Sequence, residues 1–183
     1  MKVDSSNSTA RPKIVTIVGP ECTGKTDLSN YLADYFKTVC VPEYARAYLT
    51  KLNHVYEISD LTKIAHGQVR LEEEWMRDAN QVLICDTNLL VVKVWSEYKY
   101  QTCDPEILRL MKGRQYDLLL LTNIDIPWED DPQREHPDKR EFFMNLYRKE
   151  TAATGIPVVE ISGERDARRK KAVEAIQPLL KGP

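Results

Sequence analysis

Several absences narrow this chain before any motif is read. No two of its four cysteines (Cys22, Cys40, Cys85, Cys103) form a C-x-x-C pair, and none has a histidine at metal-ligand spacing. A zinc module and a disulfide mini-scaffold are thereby excluded, and free thiols fit a reducing cytoplasm. Neither charge sign dominates: 26 basic against 28 acidic side chains leave −2 at pH 7, without the basic footprint of a duplex-nucleic-acid binder. Purely aliphatic runs such as Leu118 to Leu121 are far too short to cross a bilayer. The first residues carry Ser, Asn and Asp rather than a cationic stretch and an apolar block, so no secretory signal is expected. There is no internal repeat and no low-complexity block. What is present, 183 residues at 42% hydrophobic and 30% charged, suits one ordinary domain with a real core. Residues 1–12 are polar, end in proline and read as a flexible lead-in to a single domain over 13–183.

Short β-branched or aliphatic runs predict strands over 13–18, 39–41, 81–85, 118–121 and 157–161. Apolar residues at helical spacing predict helices over 25–37, 59–79, 88–97, 104–114, 138–154 and 165–181, with Ser59 or Asp60 as N-cap of the second. Strands alternating with helices of this size imply parallel βαβ units, and strands apolar throughout imply burial on both faces. The segment at about 127–141 breaks the pattern, with three prolines and no apolar period; it is expected to be a lid.

Gly19-Pro20-Glu21-Cys22-Thr23-Gly24-Lys25-Thr26 matches G-x-x-x-x-G-K-[ST] at every fixed position and stands between a predicted strand and helix. The glycines let successive N–H groups curl toward phosphate oxygens, and the following helix adds its positive N-terminal end. Lys25 is expected at the β- and γ-phosphates, and the Thr26 hydroxyl on Mg²⁺. Asp86, closing the third strand, is the carboxylate expected on the same cation. These features predict ATP and Mg²⁺ as cofactors and a P-loop NTPase sandwich of three layers: a five-stranded parallel sheet flanked by helices, plus the lid.

Asp86 is not followed by the glycine of a GTPase D-x-x-G element, and Thr122-Asn123-Ile124-Asp125 lacks the lysine of a guanine reader. A small kinase fits better, and its remaining parts can be named. Glu43 and Arg46, in Pro42-Glu43-Tyr44-Ala45-Arg46 after the second strand, are placed at the phosphate acceptor. Arg134 and Arg140 are the lid arginines expected to swing over the triphosphate. Glu43 and Asp86 both remain candidates for the base. Tyr44, Tyr48, Trp95 and Trp128 are candidate stacking surfaces, and Gly163 lies where an adenine would rest on backbone. The run Arg168-Arg169-Lys170-Lys171 is expected to coat the exposed face of the last helix. His54, His66 and His136 stand apart from one another.

GPECTGKT, PEYAR, DTN-LL-x-x-K-V-W-S, YDLLLLTNIDIPWEDDPQR and a late ISG together resemble the ribosylnicotinamide kinase domain of NadR-type proteins, over roughly residues 13–181. The resemblance implies transfer of the ATP γ-phosphate to the 5′-hydroxyl of nicotinamide riboside in NAD salvage. It implies phosphate and Mg²⁺ binding by Gly19, Gly24, Lys25 and Thr26, with Asp27 and Gly163 also at ATP. Glu43 and Arg46 go to the acceptor, with Tyr44 and Asn88 beside them, Asp86 to the metal or the acceptor hydroxyl, and Arg134 and Arg140 to the lid. Asn88 stands where the family commonly has an acid, and Cys22 where the cradle usually has serine. The DNA-binding segment and adenylyltransferase domain of longer NadR-type proteins are not expected in 183 residues. The predicted partner is a small nucleoside, with neither nucleic acid nor membrane. Another small acceptor, such as a deoxynucleoside or a shikimate-like metabolite, and a nucleotide-binding regulator of weak ATPase activity are the alternatives.

Overall fold

A computed structural model describes residues 11–181. Five parallel strands form one sheet in the order β2-β3-β1-β4-β5: β1 (Lys13–Val18), β2 (Cys40–Val41), β3 (Val82–Asp86), β4 (Leu118–Thr122) and β5 (Val158–Ile161). Among the described residues seven α-helices flank them: α1 (Lys25–Phe36), α2 (Tyr44–Thr50), α3 (Ile58–Trp75), α4 (Leu89–Tyr100), α5 (Pro105–Lys112), α6 (Arg140–Ala153) and, after the last strand, α7 (Arg165–Leu180). The five predicted strands and six predicted helices are all there, displaced by a few residues at their ends.

The central strands β1, β3 and β4 are buried on both faces, as parallel sheets require, whereas the edge strand β5 is not, its Val158 being exposed. On one face Val15 and Ile17 of β1, with Ile84 and Leu120, meet Leu28 and Leu32 of α1 and Val173 and Ile176 of α7. On the other, Val18, Leu119 and Leu121 meet Phe143, Met144 and Tyr147 of α6. Ile14, Leu83 and Cys85 face Leu71 and Trp75 of α3. Fully burying a side chain of this size contributes about 1.5–3 kcal/mol. Helices on two faces thus hold β1 at the centre, with its carboxyl end opening into the crevice where ligands of such sheets bind.

Two expectations fail. The short helix α2 is absent from the predicted set: it runs seven residues and buries none fully, so no apolar period marks it. The N-cap of α3 is Glu57, not Ser59 or Asp60. Asp60 lies three positions later and its carboxylate accepts the Glu57 N–H at 2.9 Å, the acidic half of a capping box. Asn88 is likewise a cap, its Oδ1 accepting the Leu90 N–H of α4 at 3.0 Å.

Candidate active site

The turn after β1 is built as its glycines predict. Gly19 has φ 141°, and a Cβ there would stand 2.6 Å from the Thr122 hydroxyl and 2.8 Å from the Thr122 carbonyl. Gly24, at φ 76°, is the left-handed N-cap of α1. The Thr23 hydroxyl closes the turn from within, 2.8 Å from the Pro20 carbonyl and 2.7 Å from the Thr122 hydroxyl. Lys25 Nζ donates to the carbonyls of Gly19 (3.1 Å) and Pro20 (2.6 Å). Burial lowers the pKa of this ammonium, against the pull of Glu43, Asp86 and Glu21.

The register of β1 on β3 pairs Ile17 with Asp86, which sets that carboxylate beside the start of the cradle. Asp86 is 3% exposed. Its Oδ2 accepts the Thr26 hydroxyl at 2.6 Å, while its buried Oδ1 has no partner among the described residues. A hydroxyl and an acceptor oxygen left open are the donor set a hydrated Mg²⁺ takes from a protein that shares it with phosphates. These residues therefore fit that ion. Burial raises the Asp86 pKa, opposed by the Thr26 hydrogen bond and by Lys25. Thr87, next in the chain, is a β-branched residue at φ 74°, strained backbone at the cavity wall.

A cavity of about 690 Å³ opens over the cradle. Residues 19–27 line it, Pro20 excepted, together with Glu43, Arg46, Asn88 and Arg134. Glu43, at the start of α2, is half-buried; burial raises its pKa and Lys25 lowers it. The far wall is apolar, from Leu49, Tyr56, Leu61, Ile64, Val92 and Trp95. Trp95 lines this wall while packing on the core beside Phe143, whereas Tyr44 packs away from the cavity. Its ring occupies the space a Cβ on Gly67 would need, 2.1 Å from the nearest ring carbon. Its N–H donates to Gln68 Oε1 at 2.9 Å.

Two cradle side chains go to the lid. Glu21 accepts the N–H of Glu135 at 3.1 Å and of His136 at 3.3 Å. Cys22 Sγ accepts the Glu129 N–H at 3.1 Å and an Arg134 N–H at 3.3 Å. Arg140 donates to the carbonyls of Ile126 (2.8 Å) and Cys22 (3.1 Å), outside the cavity wall, so in this conformation it ties the lid's base to the cradle. Arg134 faces the cavity. Arg46 pairs with Asp131 of the lid, and Gln133 donates to the Arg46 carbonyl and the Thr50 hydroxyl. The lid is docked on α2 and the cradle at once. Its acidic residues Glu129 and Glu135, which the motifs did not single out, line the cavity.

Arg168 corrects the reading of the basic run. It is 6% exposed and turned inward, with Arg165 and Arg169 paired to Asp27 beside it. Gly163 does not line the cavity; its N–H donates to Asp125 at 2.5 Å and its carbonyl accepts from Arg168. Thr122 to Asp125, without the guanine-reading lysine, thus belongs to the support beneath the cradle.

The profile of the AAA domain family matches residues 14–168, from β1 to Arg168 itself. The chain belongs to the AAA domain family. This AAA domain is 28% identical over 179 residues to the trifunctional NAD biosynthesis/regulator protein NadR of Escherichia coli (strain K12), a match covering 92% of this chain and 43% of that one. The resemblance read from the motifs therefore extends along nearly the whole chain, which spans less than half the length of the curated relatives it matches. A solved NadR in complex with NR superposes with a TM-score of 0.82 at 23% identity, covering 94% of this chain and 52% of that one. Thymidylate kinase from Candida albicans superposes at 0.69 with 14% identity, covering 94% of each. The fold of this AAA domain is that of the small P-loop kinases.

Proposed function

We propose that the chain transfers the γ-phosphoryl group of ATP to the 5′-hydroxyl of nicotinamide riboside, giving nicotinamide mononucleotide for NAD synthesis. The observation that carries this reading is that Lys25, Thr26 and Glu43 line one cavity with an apolar far wall, with the half-satisfied Asp86 bonded to Thr26 behind them. The pocket also suits a cationic pyridinium ring. Trp95 and Tyr56 offer aromatic faces, and the carboxylates of Glu21, Glu129 and Glu135 lie around the same space. Burial, then Glu135, Tyr100 and Glu21, raises the pKa of the Tyr56 hydroxyl. The relatives point the same way: one is a NAD biosynthesis protein, and solved NadR structures hold NR, or NAD and AMP-PNP.

Phosphoryl transfer asks for positioning and charge rather than covalent chemistry. Backbone N–H groups of the cradle and Lys25 hold the phosphates. Thr26 and Asp86 would hold Mg²⁺, which would supply charge neutralisation to the phosphates. Glu43, whose carboxylate has no hydrogen-bond partner among the described residues, accepts the proton of the acceptor hydroxyl and aligns it for in-line attack. Arg134 stabilises the transferring group, and the docked lid excludes water that would otherwise compete as acceptor. ATP turnover across a panel of nicotinamide riboside, deoxynucleosides and shikimate-like alcohols tests the assignment. Acceptor-stimulated ADP release with nicotinamide riboside supports it; turnover confined to another acceptor, or ATP binding that no acceptor turns into ADP, replaces it.

A further inference from the structure

We infer that Arg168 is a positioning residue for the nucleotide: from α7 it sets the direction of the cradle's central peptide and joins it to the two loops that form the cavity's rim. Three backbone segments far apart in sequence end on one guanidinium. Nη1 donates to the Thr23 carbonyl of the cradle at 2.9 Å. Nη2 donates to the Asn123 carbonyl beyond β4 at 2.8 Å and pairs with the Asp125 carboxylate. Nε donates to the Gly163 carbonyl beyond β5 at 2.8 Å. Asp125 completes the ring by accepting the Gly163 N–H.

The consequence for phosphate binding follows from peptide geometry. In a planar trans peptide the C=O of one residue and the N–H of the next point in opposite directions. Holding the Thr23 carbonyl on Arg168 therefore aims the Gly24 N–H away from the guanidinium, and both Gly24 and Arg168 line the cavity. Gly24 is also the left-handed N-cap of α1, so the same peptide starts the helix whose positive end faces the phosphates. The second tie acts on the rim. Glu164 and Arg165, next to the anchored Gly163, line the cavity, and Arg165 reaches Asp27 on α1. A buried arginine with four bonds to three segments can do this because its donors form a rigid planar fork; a lysine offers one ammonium at a single point.

The inference rests on nucleotide binding at the cradle, part of the function proposed above, so wild-type binding is measured first. Equilibrium titration of a fluorescent ATP analogue is compared for wild type, Arg168→Lys and Asp125→Asn, alongside thermal melting and the KM values for ATP and acceptor. The expected result is nucleotide affinity weakened about tenfold or more in Arg168→Lys, equivalent to about 1.4 kcal/mol. A smaller loss is expected in Asp125→Asn, with the acceptor KM unchanged in both. Asp125→Asn keeps the arginine and its carbonyl contacts, so it reads the same network should Arg168→Lys fold poorly. Variants that melt earlier yet bind the analogue as wild type does would show a purely structural role and overturn the inference. A wild type that binds no nucleotide would remove the reading of the site and this inference together.

Discussion

The Thr26 hydroxyl donates to Asp86 Oδ2 at 2.6 Å, joining the first turn of α1 to the last residue of β3 and leaving Oδ1 buried without a partner. A buried carboxylate oxygen left open costs free energy in the resting protein unless something charged or hydrogen-bonding meets it in use. Asp86→Asn keeps the size and the contact to Thr26 but removes the charge. It is expected to lower kcat by on the order of 100-fold and to raise the Mg²⁺ concentration needed for half-maximal rate. Turnover at several Mg²⁺ concentrations checks this; an unchanged Mg²⁺ dependence would move the ion's site elsewhere.

Glu43 is the proposed base for the acceptor hydroxyl. Burial raises its pKa, so the acid limb of kcat/KM is expected above the ordinary carboxylate range, with the rate rising as pH rises and the base ionises. Glu43→Gln should lose that limb and about 10²–10⁴ in turnover. A pH–rate profile of the variant that retains the limb would pass the role to Asp86.

The lid's attachment to the cradle should be visible at Cys22. Cys22→Ser preserves an acceptor toward Glu129 and Arg134 and should behave nearly as wild type. Cys22→Ala removes it. About one hydrogen bond's worth of lid closure, roughly 1 kcal/mol, should cost several-fold in kcat/KM and increase ATP hydrolysis without acceptor. Both rates come from one coupled assay with and without the nucleoside.

Acid stability should depend on Asp60. The Glu57 N–H, the Tyr48 hydroxyl and Lys63 hold its pKa at about 2, below the usual 3.8. A pKa depressed by folding stabilises the protein fully above the unfolded value and loses that contribution as pH falls through the folded one. Melting temperatures should therefore fall more steeply between about pH 4 and about pH 2 in wild type than in Asp60→Asn.

The architecture was legible because the buried strands are short, mostly apolar runs and because the cradle's spacing is dictated by phosphate geometry. Lys25, Thr26 and Asp86 could be placed together since a motif and a strand end suffice to locate them. Arg168 could not. In sequence it is the first of four consecutive cations, and only the turn of α7 against the cradle separates it from its exposed neighbour Lys170. The same holds for Arg140, whose carbonyl partners at Ile126 and Cys22 are fixed by lid docking, and for Glu129 and Glu135, acidic residues in a loop with no period to orient them. Helix α2 was hidden by its length, although Glu43 and Arg46, which it positions, stood out by their place after β2.

The assignment of nicotinamide riboside as acceptor is tested most directly with ATP carrying a labelled γ-phosphate. The label should appear on the 5′-oxygen of nicotinamide mononucleotide in proportion to the ADP released, and should vanish with Lys25→Met. ADP released without a labelled mononucleotide, or label transferred only to another acceptor, would contradict it.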